Sequence, residues 1–240
     1  MSRLRPSGFG APGPDPSGFG AQGSLGLLRL LQLFDSQFPV GAFAHSGGIE
    51  TYAALGGSLP ELREVLIAQV DLGWGRSELA GACLAWHAAG GDTAAADLAR
   101  LAQLMDALKV VPIARQTSVG LGRRTRDLIA RLYPAVAIDL EPPHHALVVG
   151  ASGRLLGLDL RAVLLAFAQN LAGGTLAAAM RCMPVGPGQA QSLLAELHPR
   201  LCAAVERSIG DPHGSLFTAT PALDIRCHQQ AHLQTRLFQS

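Results

Sequence analysis

From Ser24 onward the sequence predicts an all-α protein, a single helical domain of about eight to ten helices spanning residues 24–240. Three observations carry that expectation. Apolar residues recur at i, i+3, i+4 and i+7 along most of the chain. No segment sustains the apolar-polar alternation of a half-buried strand, and β-branched residues are sparse. The helical stretches are separated by connections rich in proline and glycine, the residues that end helices.

Residues 1–23 contain a near repeat, Pro6-Ser7-Gly8-Phe9-Gly10-Ala11 and Pro16-Ser17-Gly18-Phe19-Gly20-Ala21. Glycine, proline and serine at this density bury too little apolar surface to offset the entropy of ordering, so a disordered tail is expected. The leucine-rich stretch that follows reads as a helix up to about Phe34. Ser58, with Glu61 three residues on and Pro60 in the first turn, forms a capping box that opens a helix over 60–72. Gly73 and Gly75 interrupt it before a second run to about residue 89. Leu98, Leu101, Ala102, Met105 and Leu108 share one face of the next helix, with Asp97, Arg100, Gln103 and Asp106 on the other. Further helices are expected at 112–132, 144–156, 158–181, 188–208 and 221–232. Pro199 interrupts the pattern Leu194, Leu197, Leu201, Val205, where proline costs a helix about 3 kcal/mol, so either the helix kinks there or two helices meet.

With 240 residues, 48% of them hydrophobic, the chain can bury a sizeable core. Its formal net charge is +1 and 15% of its residues are charged, which leaves no field to capture nucleic acid or an anionic membrane; partners must be found by shape and apolar contact. Lys109 is the one lysine among 19 basic residues, a bias that coding composition explains as readily as chemistry. Cys83, Cys182, Cys202 and Cys227 are scattered, without a C-x-x-C pair or a preceding secretory signal, which points to a reducing, cytoplasmic setting. Residues 162–180 carry no charge and approach the length of a membrane span. Gln169, Asn170, Gly173 and Gly174 at the centre, with Asp159, Arg161 and Arg181 at the ends, favour a buried core helix and no membrane.

The stretch QFPVGAFAHSGGIE, residues 37–50, sets His45 beside Ser46 and falls one residue short of the G-x-S-x-G nucleophile elbow. An elbow needs a strand feeding the turn, but here a helix and Pro39 precede it, and Ala44 replaces the first glycine. Capping explains more: Pro39 and Gly41 shape the turn, and Ser46 caps a helix entered by Ile49 and Glu50, whose carboxylate suits the positive end of the dipole. Capping leaves Phe38, Val40 and Phe43 unexplained, since apolar loop residues mark core contact or a binding surface.

Cys227 and His228, with His232 four residues on, are the candidate metal ligands, because a helix would put both histidines on one face. A solvated helix face competes with that role in this amide-rich stretch. His144 and His145 follow Pro142-Pro143 at a loop-to-helix junction. No catalytic carboxylate pair, phosphate-cradling loop or dinucleotide fingerprint is present. Arg115, Arg123, Arg124, Arg126 and Arg131 form the strongest basic cluster. A solvated face and arginine forks gripping a partner's carboxylates, with Arg115 and Arg123 as the contacts, are both open.

Four stretches resemble the urease accessory protein F family. LLQLFDSQFPVGAFAHSGGIE (30–50) is similar to its N-terminal signature and RQTSVGLGRR (115–124) to its arginine and glycine segment. HHALVVGASGRLLGLDLRAVLLAFAQNLAGGTLAAAMRCMPVGPGQAQSLL (144–194) resembles its central helices, and TRLFQS (235–240) matches its terminal Arg-Leu-Phe-x-Ser. The resemblance implies an all-α, non-enzymatic scaffold that forms a homodimer, binds accessory protein H (also called D) and recruits the nickel-carrying GTPase G. That assembly delivers nickel to apo-urease, whose active-site lysine must also be carbamylated. It implies no stably bound cofactor on this chain, the nickel being handled by the assembly; a direct nickel-binding metallochaperone is the alternative. Carried onto this sequence, Phe38, Pro39, Gly41, His45, Ser46, Gly48 and Glu50 form a structured surface near the chaperone interface, while Arg236, Leu237 and Phe238 dock on accessory protein H. Two departures stand out. Gln229-Gln230-Ala231 replaces a basic residue followed by His-Glu, and Gly186-Pro187-Gly188 stands where Leu-Gly-Gln is common.

Overall fold

The computed structural model describes residues 21–234 and 236–239, which form helices and connecting loops with no strand among them. In chain order the helices are α1 (Ala21–Leu33), α2 (Ile49–Ala54), α3 (Leu59–Leu72), α4 (Trp74–Ala88), α5 (Ala94–Leu108), α6 (Pro112–Leu132), α7 (His145–Leu155), α8 (Leu160–Cys182), α9 (Pro187–Gly210), the single turn α10 (Pro212–Ser215) and α11 (Pro221–Gln229). Two 3₁₀ turns, Ala42–Ala44 and Gln230–His232, complete the set. The tail expected over 1–23 lies outside the described residues up to residue 20. Residues 21–23 are already helical, so the helical part begins earlier than the glycine content of that stretch suggests.

Local chemistry explains most boundaries. The Glu61 carboxylate accepts from the Ser58 backbone N–H at 2.9 Å and from its hydroxyl at 3.0 Å, closing the start of α3. Gly73 separates α3 from α4. Asp159 caps α8 by accepting from the N–H of Ala162 at 2.9 Å. Pro199 lies inside the continuous α9. Leu194, Leu197, Leu201 and Val205 stay buried on both sides of it, and the carbonyl it deprives of a donor belongs to exposed Ala195, where water can serve.

The core centres on α4 and α7, the most extensively packed pair, with α6, α8 and α9 around them. Every residue of α7 from Ala146 to Gly153 is buried. So close an approach needs glycine: a Cβ on Gly150 would lie 2.0 Å from the carbonyl oxygen of Ala82 in α4. Helix α8 is the one described helix long and apolar enough to cross a membrane. It buries Val163, Leu164, Phe167, Ala168, Ala172, Leu176, Ala178 and Ala179, and packs against α9, α2, α4 and α7.

Candidate functional site

The 35–50 loop is built around glycine and a clamp from α6. After α1 the Asp35 carboxylate accepts from the N–H of Gln37 at 2.6 Å, and the Asp35 carbonyl accepts from Phe38 at 3.0 Å. Gly41 then turns with φ 76°, and Arg124 donates from Nε to the Val40 carbonyl at 2.5 Å, fixing the turn on α6. Val40 is buried, Phe38 half-buried and Pro39 exposed, so the apolar loop residues divide between core and surface. His45 is half-buried, its Nδ1 lies 3.4 Å from the Thr117 hydroxyl, and burial followed by the Arg124 charge lowers its pKa.

The cap of α2 differs from expectation. Gly48, with φ 91°, is the N-cap, and Ser46 contributes a long contact of 3.5 Å as acceptor from the N–H of Glu50. A Cβ at Gly48 would sit 2.9 Å from Cys227 Sγ on α11, so the glycine also lets two elements meet. The Ser46 hydroxyl, 4% exposed with its residue, donates to Gln230 Oε1 at 3.0 Å rather than to an imidazole. That is the environment of a structural hydroxyl, since an activated serine needs a base in hydrogen-bond reach.

The C-terminal tail folds back onto this loop. Gln230, in the 3₁₀ turn that follows α11, accepts at Oε1 also from the N–H of Gly48 (3.3 Å) and donates from Nε2 to Glu50 Oε2 at 2.9 Å. The other Glu50 oxygen accepts from the backbone N–H of Leu237. Gln239 donates its N–H to the Ala44 carbonyl at 2.8 Å, and Thr51 donates its hydroxyl to the Arg226 carbonyl at 2.8 Å. The ring of Phe238 is buried in this chain, with the Arg181 guanidinium 4.3 Å from its centroid. Leu237 points outward at 63% exposure and Arg236 is exposed. Leu55, at the end of the α2 helix that holds the tail through Glu50, is exposed as well, as is Ile225 on α11.

The arginine cluster is not one patch. Arg124 clamps the loop; Arg126 pairs with Glu141 at 2.8 Å and donates to the Leu140 carbonyl; Arg131 donates to the Asp127 carbonyl. Half-buried Arg115 donates to the Lys109 carbonyl at 3.2 Å and lies 3.6 Å from Asp106, whereas Arg123 is exposed. Of the metal candidates, Cys227 faces Gly48 and burial pushes its thiol up to about 12, which disfavours the thiolate a metal would need. His228 and His232 are exposed, their rings 6.4 Å apart, and no group of three ligating side chains occurs among the described residues.

Two cavities lie behind the loop. The larger, about 590 Å³, is mostly apolar and runs between α1, α8 and the loop; the smaller is about 280 Å³. Ser46, Gly47, Leu121, His145, Leu171 and Thr175 line both. The smaller cavity also meets a largely buried ion pair of Lys109 with Glu78. Burial raises the Glu78 pKa, but the Lys109 charge and hydrogen bond outweigh it and the net shift is downward. The sole lysine therefore has a structural place that composition did not reveal. The roles of Arg124, Arg181 and Gln230 in holding loop and tail are likewise not readable from the sequence, because each acts across a long sequence separation.

A family model described as UreF matches residues 60–198. A protein named urease accessory protein UreF from Actinobacillus pleuropneumoniae serotype 3 is 32% identical over 232 residues, covering 91% of this chain and 100% of the relative. A protein of the same name from Haemophilus influenzae is 30% identical over 228 residues, covering 89% and 95%, and one from Rhodopseudomonas palustris is 29% identical over 238 residues, covering 94% and 98%. The alignments with these relatives take in most of the chain, well beyond the residues of the family model.

Proposed function

The chain belongs to the UreF family of urease accessory proteins, and from that premise we propose that it serves urease maturation as a helical scaffold that binds accessory protein H and recruits the nickel-carrying GTPase G. The observation that carries this reading is the face where loop and tail meet. Glu50, Gln230 and Phe238 are spent internally to hold it, while Leu237 and Arg236 are left open to solvent. A preorganised face with an exposed leucine beside an arginine suits a protein partner, because little ordering entropy remains to be lost on contact.

In this proposal the scaffold acts in the cytoplasm as a homodimer within the assembly and makes no bonds of its own, which fits the hydrogen-bonded state of Ser46. Nickel is handled by the assembly and passes to apo-urease without a resident site on this chain, consistent with the inward-facing, hard-to-ionise Cys227. Co-purification tests it. With the H and G counterparts co-expressed, the chain is expected to elute as one complex at low salt. Elution of the chain alone overturns the scaffold, and stoichiometric nickel binding by the isolated chain in calorimetry would favour the metallochaperone alternative.

A further inference from the structure

We propose that Gln230 is a positioning residue that locks the 44–50 loop to the C-terminal tail, so that loop and tail hold or lose their shape together. The residue is 2% exposed and its amide meets three groups at once: the Ser46 hydroxyl, the Gly48 N–H and the Glu50 carboxylate at the start of α2. One planar amide supplies the acceptor for the first two and the donor for the third. Glu50 is itself 5% exposed, and its second oxygen takes the N–H of Leu237 from the tail. The buried carboxylate thus has one donor from the 3₁₀ turn after α11 and one from the tail, and losing either leaves a desolvated charge short of a partner.

The geometry closes a ring. From Gln230 the path runs through Glu50 to Leu237, then Phe238 under Arg181, then Gln239 to the Ala44 carbonyl, and back along the loop to Ser46. Cooperativity in such a ring follows because each bond holds the next pair in register. The partner-facing side chains Arg236 and Leu237 are set by bonds on the inner side of the same ring, so Gln230 acts on the proposed interface without touching it. That last step rests on the scaffold reading; the locking does not.

Amide hydrogen exchange on the full chain tests the lock. In the parent both segments, 44–50 and 237–239, are expected to exchange slowly. In Gln230→Leu both are expected to speed up together by about 100-fold, with α7 and α8 unchanged, and Phe238→Ala is expected to produce the same paired loosening. The double variant is expected to add little to either single one, because one cooperative unit can be lost only once. Loosening of the loop with a still-protected tail, or additive effects in the double variant, overturns the lock. Affinity for the H counterpart gives a separate arm, expected to fall at least tenfold in Gln230→Leu. Coupled loosening with unchanged affinity sinks the placement of the partner on this face while the lock stands.

Discussion

Phe167→Ala is expected to lower the unfolding free energy by about 3–5 kcal/mol. Phe167 is fully buried in α8, with the Phe34 ring 6.2 Å away and the His145 ring edge-on at 5.5 Å. It joins α7, α8 and the residue that follows α1 at one point. Phe34 and His145 already line the larger cavity, so the truncated site opens into existing space and has little to collapse against. Urea denaturation of the isolated chain measures the loss, and Phe167→Leu, which keeps most of the volume, should cost about 1.5 kcal/mol or less. A loss below about 1 kcal/mol in the alanine variant would mean that α1 and α8 do not share a packed core.

Acid is expected to weaken the fold as pH falls from about 6.5 towards 4. Burial pushes the His145 pKa down to about 4; Glu78 pulls against that, while Lys109 and Arg124 reinforce it. His144 is lowered too, again mainly by burial, although the Asp106 carboxylate 3.1 Å away opposes the shift. The folded chain therefore keeps His145 neutral over a range in which the unfolded chain, titrating near 6.5, has bound a proton. Stability is complete above the unfolded value and is lost progressively below it, by an amount on the order of 2 kcal/mol near pH 5 for His145 alone. Urea midpoints at about pH 7.5 and 5 check this, and His145→Gln should flatten the difference. An unchanged slope in that variant would assign the acid sensitivity elsewhere, with the Glu78–Lys109 pair next in line.

Much of the scaffold was legible because its signals are local. Pro112 opens α6, the Ser58–Glu61 box opens α3, and Gly73 parts α3 from α4, each within a few residues of the feature it controls. Pro199 was ambiguous because propensity and burial oppose each other there. The buried leucines on either side prevailed and α9 runs through. The single turn Pro212–Ser215 is too short to show a period, and nothing in the sequence marked it as helical.

The site was legible in residue type and not in arrangement. Gly41, Gly48 and Glu50 stood out in the sequence, and all three hold the loop in shape. The resemblance makes Phe238 a docking residue; in this chain its ring is buried while its neighbours Leu237 and Arg236 face outward. Gln230 is marked in the sequence only by its departure from the family pattern, yet it joins residues more than 180 positions apart. Such contacts depend on the folded path of the whole chain, and no window of sequence contains both partners.

In the proposed function the outer side of the docked tail is the surface that another protein meets. Calorimetric titration of the H counterpart into the full chain and into Leu237→Ala tests it most directly. Burying that leucine against a partner is worth about 1.5–3 kcal/mol, so the account predicts an affinity lower by roughly ten- to a hundredfold in a variant whose fold is intact. Equal affinity for both chains would contradict it.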